Sequence, residues 1–262
     1  MTDLVLLFDI GNTNSKITLA DHDQLYQSLV LPTLTEHTAD SLGLALLEVC
    51  RFFGVSSSQI TAWIASSVVP AVDRVLEGAG KRFFDCPLFF VPKDIPLPIE
   101  NRYARPSEVG ADRLVAAFAG RCLYDARTLI LVDFGTATTF DCVVDNAYLG
   151  GLICPGVLSS VRALGTKTAK LPQISLEATA PEVEVGTSTA SSLNQGIVHG
   201  FAAMVEGLGM RLRRSLGDEN AVVVATGGFA QNITPVCSGI DYLQPDLLMQ
   251  GLRMAYAGHK KK

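Results

Sequence analysis

No run in this 262-residue chain is apolar for the roughly 20 residues that a membrane-crossing helix requires, so no membrane association is expected. Asp3 and Asp9 bracket a short apolar run with no positively charged segment before it, which does not make a signal peptide. Paired cysteines are missing as well. Cys50, Cys86, Cys122, Cys142, Cys154 and Cys237 lie far apart without a C-x-x-C, and buried free thiols are the expectation. His22, His37, His199 and His259 are equally scattered and give no zinc-ligand spacing. These absences make the cytoplasm the expected compartment. Positive charge is not in excess either: a net charge of −5 and a pI near 5.4 argue against a nucleic-acid partner. The lone basic run, Lys260-Lys261-Lys262, is terminal and reads as a frayed tail. No G-x-G-x-x-G occurs, so a dinucleotide-binding fold has no fingerprint. Gly165-Thr166-Lys167-Thr168 lacks the earlier glycine and the preceding strand of a P-loop.

What the chain does contain is a repeated phrase. Residues 4–21 read LVLLFDIGNTNSKITLAD and residues 129–145 read LILVDFGTATTFDCVVD. Asp9 aligns with Asp133, Gly11 with Gly135, and Asn12-Thr13-Asn14 with Thr136-Ala137-Thr138, at an offset of 124 residues. Hydrophobic residues at 48% and charged residues at 18% suit a compact protein, either one large domain or two of about 130 residues. The alternation of short runs predicts strands at 4–10, 15–21, 24–31, 60–65 and 88–91, with helices over 39–53 and from Pro70 to about Phe83. Four prolines between 92 and 107 mark a surface loop, followed by an amphipathic helix from Val109 to Leu123. Strands at 128–133, 139–144, 147–153 and 221–225 then repeat the scheme. Helices are expected after Pro155-Gly156, near 189–214 and from about Pro245. The fold class is therefore α/β with two similar domains, each a mixed sheet flanked by helices, spanning 1–120 and 121–262, with a ligand expected in the cleft between them.

Gly11 and Gly135 stand where a strand must turn and let backbone approach a ligand, and a side chain there would obstruct a phosphate. The hydroxyls and amides that follow can hold phosphate oxygens, and Lys16 adds a positive charge. Asp9 and Asp133, at strand ends, can bind a cation directly or through water. Each copy alone reads better as an ordinary hairpin turn; the pair at matching positions in matching strand contexts reverses that and favours the ligand-binding reading. Thr226-Gly227-Gly228 suits a nucleobase or ribose lying against backbone, or a plain helix entry. Gly150-Gly151 with Pro155-Gly156 reads as structural. Asp112 and Arg113 open a helix; Asp112 is either a helix-stabilising acid or, if it faces the ligand, a general base.

DIGNTNSK (9–16), GADR (110–113), DFGTATTFD (133–141), YLGGLICPG (148–156), GTST (186–189), TGG (226–228) and DLLMQGL (246–252) resemble, in order, the motifs of type III pantothenate kinases. That family, also labelled Bvg accessory factor-like, belongs to the actin/hexokinase/heat-shock ATPase superfamily, with ribonuclease H-like domains. The resemblance implies ATP-dependent phosphorylation of pantothenate, the first step of coenzyme A biosynthesis. It implies that Asp9, Ile10, Gly11, Asn12, Thr13, Asn14, Ser15, Lys16 and Thr136 bind ATP. Asp133 would hold a monovalent cation, potassium or ammonium, used beside Mg2+. Asp112 would be the catalytic base, and Tyr103, Gly110, Ala111, Asp112, Arg113 and Thr189 would line the pantothenate pocket of a homodimer. In Tyr103-Ala104-Arg105-Pro106 an arginine stands where the family commonly has asparagine, which alters the charge beside the substrate loop. Another small-alcohol or sugar kinase of the superfamily, or a silent nucleotide-binding regulator, is the alternative; a regulator would be expected to lose the acid at 112 or the hydroxyls near 136, and both are present.

Overall fold

The structure, a computed structural model, describes residues 3–166, 176 and 181–260. Lys167 and Thr168 of the P-loop-like segment, and Lys261 and Lys262 of the basic tail, lie outside the described residues. The chain forms two compact units. One comprises Met1–Ile99, Ala104–Ala119 and Leu247–Lys262, and the other Glu100–Tyr103 and Gly120–Asp246. Relative to a cut at residue 120, two pieces change sides: the C-terminal helix joins the first unit and a short strand before Tyr103 joins the second.

The first unit contains β1 (Leu4–Ile10), β2 (Asn14–Ala20), β3 (Leu25–Pro32), α1 (Ala39–Phe52), β4 (Ile60–Ser67), α2 (Pro70–Phe83) and β5 (Leu88–Phe90). Its sheet runs β3-β2-β1-β4-β5, with the β1–β2 and β2–β3 pairs antiparallel and the β1–β4 and β4–β5 pairs parallel. β1 is apolar almost throughout because it is covered on both faces. Leu6, Phe8 and Ile10 join Trp63, Leu46, Val49, Val72 and Leu76 on the α1–α2 side. Val5 and Leu7 alternate onto the other side, among Val115, Phe118, Met249, Leu252 and Tyr256. That packing is the physical reason the C-terminal helix belongs here. Local signals start both helices on the first face: Thr38 and Ser41 form a reciprocal capping box for α1, and Pro70 opens α2. Ile95, in the proline-rich stretch read as a surface loop, is buried in this core beside Val91.

Between the two units in sequence come β6 (Glu100–Asn101) and α3 (Ala111–Leu123). The second unit then contains β7 (Thr128–Phe134), β8 (Ala137–Val144), β9 (Ala147–Pro155), α4 (Val157–Thr166), α5 (Thr189–Leu216), β10 (Val222–Thr226), α6 (Ala230–Ile233) and β11 (Tyr242–Leu243). The last helix, α7 (Leu247–Lys260), follows. The second sheet runs β11-β10-β7-β8-β9-β6. Without β6, its order and strand directions repeat the first: β7 takes the place of β1, β8 of β2, β9 of β3, β10 of β4 and β11 of β5. Ile130, Val132 and Phe134 pack on Ile197, Val198, Phe201 and Val205 of α5. The fold is thus α/β, with two mixed sheets of one topology, each flanked by helices.

The short strands β6 and β11 escaped sequence reading because two residues carry no periodicity, whereas α6 follows Thr226-Gly227-Gly228 as a helix entry there would have it. Cys50, Cys142 and Cys237 are buried free thiols, as expected, whereas Cys86 and Cys154 are half-buried and Cys122 is exposed. Burial pushes the Cys50 and Cys237 thiols up to about 11. Among the described residues no helix is long and apolar enough to cross a membrane.

Candidate active site

The β1–β2 turn carries the first repeated phrase. Asp9 pairs across the sheet with Lys16 on β2 and with Ser66 on β4, so it stands at the carboxyl end of the central strand. By alternation it follows Val5 and Leu7 onto the face that α3 and α7 cover. The Gly11 N–H closes the turn on the Asn14 carbonyl at 3.1 Å, leaving Asn12, Thr13 and Asn14 exposed. A Cβ on Gly11 would sit 3.0 Å from that same carbonyl, a tight contact, so glycine eases the turn itself. Thr33, just past β3, braces it. Its hydroxyl donates to the Gly11 carbonyl (2.7 Å) and meets the Ser15 hydroxyl (2.7 Å), while its N–H donates to the Thr13 carbonyl (3.0 Å).

The β7–β8 turn repeats this with one residue fewer: Phe134 pairs with Thr138, whereas Ile10 pairs with Ser15. Here the Gly135 N–H donates to the Ala137 carbonyl at 3.1 Å. A Cβ on Gly135 would meet nothing closer than 3.5 Å, an ordinary contact, so the fold does not demand glycine at this position. Support comes from the start of α4. The Ser159 hydroxyl donates to the Thr136 carbonyl (3.0 Å), and a Cβ on Gly156 would lie 2.1 Å from the same oxygen. Gly156 therefore lets the turn rest directly on the chain.

Asp133 pairs with Thr139 on β8 and Thr226 on β10. Gly227 has φ of +90°, and a Cβ there would fall 2.2 Å from Asp133 Oδ1. A Cβ would also lie 2.7 Å from the Phe134 N, so glycine here lets the chain rest against both the Asp133 carboxylate and the Phe134 backbone. Among the described residues no group of three or more His, Cys, Asp or Glu side chains could hold a metal ion together.

Asp112 sits on the first turn of α3, where its negative charge gains from the helix dipole. Its Oδ1 accepts from the Arg113 N–H at 2.8 Å and folds back over residue 110, where a Cβ would lie 2.3 Å from it. Gly110 also lies against Val68, whose N–H donates to the Ile10 carbonyl at 3.1 Å. Asp112 is therefore tied, through Val68, to the end of β1 where the first turn begins. Burial pushes its carboxyl above the ordinary carboxylate range, against the pull of the Arg113 N–H and guanidinium. Within the first unit, then, the first glycine turn follows β1, and the Asp112 carboxyl is brought by Gly110 against Val68, just past the adjacent parallel strand β4. That is where α/β sheets bind ligands.

The remaining sequence candidates lie in the second unit or at the start of α3. Tyr103 follows β6, half-buried, with its ring against Gly150. Thr189 begins α5, which Ser188 and Ser191 cap reciprocally. It lines an open depression of about 650 Å³ with Gly186, Thr187, Ser188, Ser192 and Leu193. Arg105 pairs with Glu108 at 2.9 Å, both exposed. Thr33, Val68, Gly156, Ser159 and the tie of Gly227 to Asp133 were not read from the sequence. Each acts through a contact distant along the chain, and only Gly156 and Gly227 left a trace, as glycines next to a strand end.

A doubled β3-β2-β1-β4-β5 sheet with a glycine turn after each central strand is an actin-like fold. Solved structures agree on that fold. A Baf family transcriptional activator from Campylobacter jejuni is similar with a TM-score of 0.59 at 18% identity, covering 98% of this chain and 100% of its own. A ROK family glucokinase from Streptomyces griseus, solved with glucose and AMPPNP, gives 0.53 at 13% identity, covering 99% and 100%. The family model for type III pantothenate kinase matches residues 5–211. A type III pantothenate kinase of Nitratidesulfovibrio vulgaris is 55% identical over 253 residues, 96% of each chain. The chain belongs to the type III pantothenate kinase family, and it is a kinase.

Proposed function

We propose that this chain transfers the γ-phosphoryl group of ATP to the primary hydroxyl of pantothenate, giving 4′-phosphopantothenate and ADP at the entry to coenzyme A biosynthesis. Membership of the family supports the reaction, and the half-buried Asp112 beside the first turn supports how it proceeds. Phosphoryl transfer asks a protein chiefly to position two reactants and to offset charge. The turn at Asp9, Ile10, Gly11, Asn12, Thr13, Asn14, Ser15 and Lys16 holds ATP phosphates, and Thr136 holds them from the second turn. Asp112 accepts the proton as the pantothenate oxygen forms its bond to phosphorus and ADP departs with the electrons of the broken P–O bond. Arg113 pairs with the pantothenate carboxylate, and Tyr103, Gly110, Ala111 and Thr189 shape the acceptor pocket. Asp133 would hold potassium or ammonium, and Mg2+ would travel with the nucleotide phosphates; both neutralise charge when bound. We assign the enzyme to the cytoplasm as a homodimer.

The test is an ADP-release assay in potassium buffer, with pantothenate, glucose or glycerol as acceptor and the product weighed by mass spectrometry. Pantothenate-dependent ADP release with a phosphorylated product is expected. Turnover with glucose or glycerol but not with pantothenate would overturn the acceptor assignment. Equal rates in sodium-only buffer would remove the role given to Asp133.

A further inference from the structure

Asp141 is a carboxylic acid in the middle of β8, 2% exposed, at a place where an apolar residue would fill the sheet at least as cheaply. Two hydroxyls satisfy it. Tyr148, fully buried on β9, donates to Oδ1 at 2.9 Å, and Thr139 donates to Oδ2 at 3.2 Å. Thr139 is the cross-strand partner of Asp133, so one end of this network touches the second turn. The other end leads to Tyr103. The Tyr148 and Tyr103 rings lie with centroids 6.4 Å apart, and the Arg102 N–H donates to the Tyr148 carbonyl at 2.9 Å. β6 pairs with β9 through Asn101 and Tyr148, and the Asn101 side chain accepts from the Tyr103 N–H at 3.1 Å.

The backbone beneath Tyr103 is shaped for its ring. The β8–β9 register slips after Cys142, which pairs with Gly150, while the next residue, Val143, pairs with Tyr148. Leu149 is the extra residue of a bulge, and Gly150 takes φ of +113°. A Cβ on Gly150 would lie 2.9 Å from Tyr103 Cδ2 and 3.0 Å from Cε2. The ring therefore rests on a bare stretch of main chain, beside a tyrosine whose rotation is fixed from below by Asp141.

We propose that Asp141 and Tyr148 are positioning residues that hold Tyr103 in place for the acceptor, and so set the affinity for pantothenate while leaving the nucleotide side untouched. This rests on the reading of Tyr103 as an acceptor contact. Because β6 is two residues long, its own pairing fixes Tyr103 weakly, and the buried hydroxyl–carboxylate pair supplies the rigidity.

The experiment measures kcat and both KM values for the full-length enzyme and for Tyr148→Phe, Asp141→Asn, Tyr103→Ala and the Tyr148→Phe/Tyr103→Ala pair. Tyr148→Phe is expected to raise the pantothenate KM about tenfold, the scale of one lost hydrogen bond to a charged group, with the ATP KM within about twofold. Asp141→Asn, which keeps the shape of the site, moves the same constant in the same direction and serves if Tyr148→Phe does not fold. The double variant should be no worse than Tyr103→Ala alone, since the support then has nothing to hold. Both KM values rising together, or additive effects, would mean a merely structural pair and would overturn the proposal. A pantothenate KM raised by Tyr103→Ala but unmoved by Tyr148→Phe would do the same. If Tyr103→Ala itself leaves that KM unchanged, the Tyr103 reading fails first and the support falls with it.

Discussion

In the first turn the brace arrives after β3, as Thr33, whose hydroxyl and N–H reach Gly11 and Thr13. In the second it arrives after β9, as Gly156 and Ser159 beneath Thr136. The same strand order has kept the place of the brace and changed its chemistry, from a threonine side chain to a bare glycine and a serine. The glycines differ in meaning too. Gly11 is squeezed by the Asn14 carbonyl, whereas Gly135 has room for a methyl group. A glycine that the fold does not require is better evidence for a ligand than one that it does.

Asp112 belongs to the first unit only, and the largest effect should come from there. Asp112→Asn is expected to fold and to lose turnover by at least ~100-fold, the lower range for removal of a general base. The same change should raise the melting temperature. Burial places the folded-state pKa of Asp112 above that of the unfolded chain, so its stabilising contribution is complete below the unfolded value and is lost as pH rises through the raised one. At neutral pH the ionised carboxylate is a cost that asparagine relieves, and thermal unfolding at pH 7 checks it. A lower melting temperature would contradict this.

Next in size, Gly135→Ala should raise the ATP KM about tenfold, as expected for one charge-assisted hydrogen bond weakened, with its melting temperature unchanged. Gly11→Ala should raise the ATP KM and also lower the melting temperature, because the added methyl meets the Asn14 carbonyl. If both variants behave alike, the contrast between the turns is broken. Thr33→Val, which keeps the shape and removes the hydroxyl, should cost about 1 kcal/mol of stability by chemical denaturation, with a smaller rise in ATP KM. The corresponding Ser159→Ala should be milder still, since Ser159 is exposed and makes one such bond.

The doubled architecture was legible because two strong local signals coincide: continuous apolar strands and a glycine with hydroxyls immediately after each. α1, α2 and α5 announced themselves through caps, a proline and long periodicity. The side on which α7 packs was not legible, because its apolar stripe would suit either sheet. Nor was β6, whose two residues sit among prolines. At the site, Asp112 was legible as a candidate, while its rivalry with a plain helix-start acid was not resolvable from spacing. The contact from Gly110 through Val68 to Ile10, and the burial of the carboxyl, give it a position beside the first turn. Asp141 lay in plain view inside the second repeat, but its bond to Tyr148 depends on the β8–β9 register and could not be read from a string.

The central claim is that a half-buried Asp112 takes the proton from the acceptor hydroxyl. Its most direct test is the dependence of kcat/KM for pantothenate on pH, in the wild-type enzyme and in Asp112→Asn. The wild type should show an acid limb lying above the ordinary carboxylate value of about 4, and the variant's residual rate should lack it. The same limb persisting in Asp112→Asn would assign the proton to another group and contradict the account.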